Sequence, residues 1–203
     1  ISTGRPEGSK MGFGISGGRG FIWVCLPYLN AAGDDIALTW WGDAKNRTAR
    51  PTLDYCQKVV PWICEQFGGD RDRIVLCGFS RGAIACNYLG LHDDETAKLW
   101  RAFIPYSHYD GIATWPYPAS DQDSALGRLK RLAKRPQFIC HEITDSQLNL
   151  AATKKWIEAT GLTEHITFTE TGFRNHNDAW LLRPSLARKK LRTWLQDALS
   201  LSH

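Results

Sequence analysis

Five short apolar runs punctuate the chain: FIWVCLP (21–27), RIVLCGF (73–79), AFIPYS (102–107), QFICHEI (137–143) and HITFTET (165–171). They are apolar throughout rather than alternating, which predicts strands buried on both faces. Between them the period changes to that of a helix. Residues 51–67 place Cys56, Val59, Val60, Ile63 and Phe67 on one face, with Pro51 at the start, where a missing N–H is harmless. Pro61 inside that stretch predicts a kink or a division. Residues 121–134 follow Ser120, with Asp123 three positions on in a capping-box arrangement. Residues 146–160 and 184–199 complete the predicted helices. Strands alternating with helices predict an α/β fold, a mostly parallel, doubly wound sheet with helices on both faces, in a single domain over 1–203. Right-handed crossovers then bring every strand's C-terminal end to one edge, where such sheets bind ligands.

Three of the loops expected at that edge carry a chemical pattern. RIVLC runs into GFSRG (78–82), a serine between glycines where a strand gives way to a helix. QFICHEI is followed by Thr144–Asp145, and HITFTET by GFRNHND, which contains His176. Serine, acid and histidine in that chain order match the triad of a nucleophile-elbow hydrolase. A serine hydroxyl needs a base to take its proton, and histidine can accept and return one near neutral pH. A carboxylate then fixes the imidazole tautomer. Ser80, His176 and Asp145 are the expected members, with Glu142, inside the predicted strand, and Asp110 as alternative acids. His108 in SHYDG follows a different strand and is expected to line the pocket. The Arg81 backbone N–H, next after the serine, is the expected oxyanion donor.

The stretch from FIWVCLPYLN through TLDYCQKVVPWICEQFGGDRDRIVLCGFSRGA to NHNDAWLLRPSLARKKLRTWL resembles α/β-hydrolase esterases. Within them it is most similar to polyhydroxybutyrate-depolymerase-like and feruloyl- or acetylxylan-esterase-like enzymes. The resemblance implies a serine carboxylesterase working through an acyl-enzyme, without metal or organic cofactor, on short-chain acyl esters of carbohydrates. The implied partner is a small-molecule or oligosaccharide ester. A serine peptidase of the same fold and a non-catalytic binding protein are the alternatives. That family has about three strands ahead of the one predicted at 21–27, and here only ISTGRPEGSKMGFGISGGRG precedes it. The expectation is a reduced sheet or a shortened or processed chain, with Thr3–Gly4 as a weak candidate for the second oxyanion donor. Arg81 also departs from the small residue common there. Glucuronoyl esterases share that arginine, which admits uronic-acid esters among the substrates.

Composition changes this picture little. The net charge of +4 is concentrated in RLKRLAKR (128–135) and RPSLARKKLR (183–192), whose helical apolar spacing predicts that the basic residues form solvated faces. No nucleic-acid motif accompanies them, and no apolar run approaches the ~20 residues of a membrane span. The six cysteines show no CxxC or zinc spacing and are expected to be free thiols. GFGISG (12–17) fits GxGxxG but precedes a strand, so a flexible loop is expected. Aromatic residues cluster in TWWGD (39–43) and SHYDGIATWPYP (107–118), where Trp40, Trp41, Trp115 and Tyr117 are candidates for pocket lining.

Overall fold

The four apolar runs from residue 73 onward form the sheet; the first does not. The structure, a computed structural model, describes residues 7, 9–41 and 47–200. It begins with helix α1 (Met11–Ser16) and a short antiparallel pair, β1 (Tyr28–Leu29) and β2 (Ile36–Ala37). Helix α2 (Arg50–Phe67), strand β3 (Val75–Phe79), helices α3 (Arg81–Tyr88) and α4 (Asp94–Ala97), and strand β4 (Ala102–Tyr106) follow. The chain continues through α5 (Gln122–Lys130), β5 (Gln137–His141), α6 (Leu150–Thr160) and β6 (Ile166–Glu170). A 3₁₀ turn (Asp178–Leu182) and helix α7 (Leu186–Ser200) end it. The four-stranded sheet is wholly parallel in the order β3-β4-β5-β6, with helices around it, an α/β fold.

Alternation along the strands divides the core in two. Ile104, Tyr106, Phe138 and Cys140 face Met11, Trp180, Leu191 and Leu195 from α1, the 3₁₀ turn and α7. Phe103 points the other way, into a layer with Val60, Cys86, Leu91 and Leu129. β4 and β5 are buried at every position, whereas β3 and β6 are only partly so, as edge strands should be.

Residues 21–27 do not form a strand, and Phe21, Ile22 and Val24 are exposed. A strand exists through its ladder, and this segment has none. A cavity of about 980 Å³ separates it from β3, walled by Val24, Leu26, Val60, Ile63, Val75 and Cys77 among others. Ser80 N–H donates to Tyr106 O and Arg101 N–H to Ile74 O, so the even-numbered residues of β3 bond toward β4. By alternation, the backbone groups of Val75, Cys77 and Phe79 face the cavity.

Other expectations also shift. GFGISG lies largely within α1 and is not a loop; a Cβ on Gly12 would meet the Trp23 ring at 2.3 Å and one on Gly14 the Leu181 Cβ at 2.5 Å. Close packing explains those glycines. Helix α2 continues through Pro61 as one element. Asp121, not Ser120, caps α5 by accepting from Ser124 N–H. Ser120 is buried, donating to Trp115 O. All six cysteines are free. No helix among the described residues is long and apolar enough to cross a membrane.

Arg128 departs from the solvated basic face expected of 128–135. It is buried, with Nε donating to Asp110 Oδ2 at 2.7 Å and Nη2 to Asp110 Oδ1 at 3.1 Å and Ala119 O at 2.9 Å. Its guanidinium also lies 4.6 Å from the Tyr88 ring centroid. Removing one member would strand the other as a buried charge. Asp110→Ala should therefore cost about 3–5 kcal/mol in urea unfolding, and Asp110→Ala/Arg128→Met should recover most of it. A single-variant loss below about 1 kcal/mol, the level of an exposed pair, would contradict this reading of the pair.

Candidate active site

Ser80 sits between β3 and α3 at φ 56°, ψ −120°, a conformation costly for any residue with a side chain. Gly78 allows it. A Cβ at that position would lie 2.0 Å from Gly82 O and 2.3 Å from Gly82 C. Gly82 is different, since a Cβ there would meet only the Tyr28 hydroxyl, at an ordinary 3.7 Å. The turn ends in α3, whose first N–H groups, at Arg81 and Gly82, have no acceptor among the described residues.

His176 reaches Ser80 from the loop after β6, with Nε2 3.0 Å from Ser80 Oγ. Its ring lies 4.7 Å from that of Phe79, which stacks on Tyr106 at 5.0 Å. The Tyr106 hydroxyl donates to Asn177 O at 2.8 Å, and Asn177 caps the 3₁₀ turn through Ala179 N–H. The loop is thereby fixed on both sides of the histidine. Asp178 begins the 3₁₀ turn, where a carboxylate complements the exposed N–H groups.

The acid facing His176 is Glu142, not Asp145. His176 Nδ1 lies 2.7 Å from Glu142 Oε1. A carboxylate only accepts, so Nδ1 carries the proton and Nε2 presents its lone pair to the serine hydroxyl. The expected strand 137–143 stops at His141, which makes Glu142 the first residue beyond it. Thr171 N–H donates to His141 O and Ile143 N–H to Phe173 O, which ties the acid segment to the histidine loop. Asp145 lies farther out and is exposed. Asp110, the other alternative, is engaged by Arg128.

Glu142 is 5% exposed. Burial works to raise its carboxyl pKa, but hydrogen bonds from His176, its own backbone and Ser107, with the charge of His141, hold it below the ordinary value. Both ring nitrogens of His141 lie 2.8 Å from carbonyl oxygens, those of Glu142 and Leu148. The Nδ1 of that ring also lies 3.4 Å from Glu142 Oε2.

Ser107, absent from the sequence reading, completes the cluster. It is fully buried at φ 84° and donates to Glu142 Oε1 at 2.9 Å. Its oxygen also lies 3.0 Å from His176 Nδ1 and 3.2 Å from His108 Nδ1. Burial, reinforced by the neighbouring His176 and His141, lowers the His108 pKa to about 4, so this imidazole is neutral at neutral pH. His108 stands 5.5 Å from His176 and 6.0 Å from Trp115 between ring centroids, outside the lining of the cavity beside β3. The only sequence signal for Ser107 was its place at the end of a strand.

The aromatic loops mostly pack against one another. Trp40 is 0% exposed and makes ring contacts with Tyr28, Trp41, Tyr88 and Tyr117. Tyr117 is buried beside it, stacked on Trp41. Trp41 and Trp115 are half-buried at the margin of the same cluster. Gly4 lies outside the described residues. Among the described residues no group of three or more His, Cys, Asp or Glu side chains could hold a metal ion. The site thus unites an uncharged hydroxyl, a base with its lone pair aimed at it, a buried carboxylate and free N–H donors. That combination can activate the serine for attack on a carbonyl. No protein-family model and no curated protein matches this chain.

Which carboxylate serves His176 can be read from the rate of Ser80 labelling by a fluorophosphonate. Glu142→Gln should slow it by about 10³–10⁴-fold, the scale for losing a triad acid. Asp145→Asn should leave it at the wild-type rate. Ser107→Ala, which removes one hydrogen bond to a charged group, should slow it by about 10–100-fold. The reverse order for the two acids would return the role to Asp145.

Proposed function

We propose that this protein is a serine carboxylic-ester hydrolase of the α/β-hydrolase type that works through an acyl-enzyme. One observation carries the reading. Ser80, on a strained turn, lies 3.0 Å from His176 Nε2, while His176 Nδ1 lies 2.7 Å from buried Glu142. Three residues 34 and more positions apart in the chain meet in one relay of the required tautomer.

In this mechanism Ser80 Oγ bonds to the ester carbonyl carbon as its proton passes to His176 Nε2. The carbonyl electron pair moves onto oxygen, where the Arg81 N–H donates to it. Glu142 stabilises the imidazolium that forms. Collapse breaks the carbon–oxygen bond to the alcohol, and His176 returns the proton to the departing oxygen. A water molecule then gives up a proton to His176 and attacks the acyl carbon; the bond to Ser80 Oγ breaks, His176 returns the proton to Oγ, and the acid is released.

The cavity beside β3 has Ser80 and His176 in its lining, and its apolar walls suit an apolar acyl group. Carbohydrate stacking draws less support, because Trp40 and Tyr117 are committed to the packed cluster. Trp41, Trp115 and His108 remain as the groups able to meet a substrate's alcohol portion.

Wild-type protein should take up one fluorophosphonate per chain and hydrolyse p-nitrophenyl esters in preference to aminoacyl-anilides. Ser80→Ala should abolish labelling and lower kcat by several orders of magnitude. Unlabelled, inactive wild type would favour a binding protein, and faster anilide cleavage would favour a peptidase.

A further inference from the structure

We infer that the Tyr28 hydroxyl is the second donor to the oxyanion formed at Ser80, a role that rests on the reading of Ser80 as nucleophile. The backbone N–H of Arg81 provides one donor, and a tetrahedral oxyanion is better held by two. Tyr28 is placed to be the other. Its backbone pairs with Ala37, and the next residue, Leu29, donates its N–H to Thr52 Oγ1 at 2.9 Å, which ties the segment to α2. The ring stands edge-on to Trp40 at 5.9 Å. From there the phenol extends to the first turn of α3, and its oxygen lies 3.7 Å from the position a Cβ on Gly82 would occupy.

Two further observations identify this oxygen as a donor in waiting. It has no hydrogen-bond partner among the described residues, and Tyr28 is half-buried. A hydroxyl that faces a cavity beside a reactive group with no partner of its own is free to donate to an acceptor that arrives with the ligand. Tyr28 also shares a cavity wall with Ser80, Arg81, Gly82 and His176. Burial holds the phenol above its ordinary pKa, with nearby cysteines adding to the rise and Arg81 opposing it, so the group stays an O–H donor at neutral pH. Gly82 then acquires a reason that packing does not give. A larger side chain at that position would stand between the hydroxyl and the turn.

In the attack step Tyr28 keeps its proton. Ser80 Oγ bonds to the carbonyl carbon, the Ser80 proton goes to His176, and the former carbonyl oxygen accepts hydrogen bonds from Arg81 N–H and Tyr28 O–H. The contact strengthens as charge develops, so it acts on kcat rather than on ground-state binding.

Tyr28→Phe removes one unbonded oxygen and leaves the ring in place. Its kcat on p-nitrophenyl butyrate and its fluorophosphonate labelling rate should fall by about 10²–10³-fold, with KM and Tm at wild-type values. Affinity for phenylboronic acid, whose adduct is tetrahedral, should fall with kcat. If Tyr28→Phe fails to fold, Gly82→Val tests the same geometry with the tyrosine present and should show the same loss. Wild-type kcat and labelling in Tyr28→Phe would overturn the assignment of Tyr28 alone. Wild-type protein that does not label would overturn both the assignment and the nucleophile reading beneath it.

Discussion

A carboxylate taken out of water must find hydrogen bonds or give up its charge. Glu142 finds them from His176 in the loop after β6 and from Ser107 at the end of β4, with the His141 ring 3.4 Å from its other oxygen. The same contacts orient His176, and His176 in turn meets Ser80. Thus one buried charge organises the ends of β4, β5 and β6 and directs a lone pair at the residue that follows β3. Ser107, held at φ 84°, and Ser80, held at φ 56°, are the two strained points in this arrangement. Each lies at a strand end on the same sheet edge, where the surrounding ladder can enforce the backbone geometry.

The sheet itself explains which parts of the site were legible in sequence. Continuous apolar runs mark strands buried on both faces, and β3 to β6 lie where those runs do. Ser80 could be found because it follows such a run immediately, and His176 because it stands in the loop just after one. The acid was harder, because Glu142 belongs to an apolar run by composition and leaves the strand by only one position. Asp145 looked better placed on the assumption that the strand continued to residue 143. A glutamate's extra methylene makes a position so close to the strand workable, and that reach leaves no mark in a hydrophobicity pattern.

Residues 21–27 failed for the complementary reason. Their composition suits a strand, but a ladder belongs to two segments, and no pattern within one of them reports whether its neighbour is in reach. The cavity that separates them from β3 also gives the site its apolar approach. Trp40 and Tyr117 show the same limit, since an aromatic cluster in loops looks alike whether it binds a ligand or packs on itself. Arg128 was hidden within a basic run because burial beside Asp110 depends on a partner 18 residues away. In each case the missing information was a contact between distant residues.

The central claim is that Ser80, His176 and Glu142 form a working relay on the strained turn after β3. A crystal structure of the protein after reaction with a phosphonate tests it directly. The account predicts phosphorus bonded to Ser80 Oγ, the phosphonyl oxygen within hydrogen-bonding distance of Arg81 N–H, and His176 still bonded to Glu142. An adduct on another residue, or an intact Ser80 turned away from His176 with Glu142 unpaired, would contradict it.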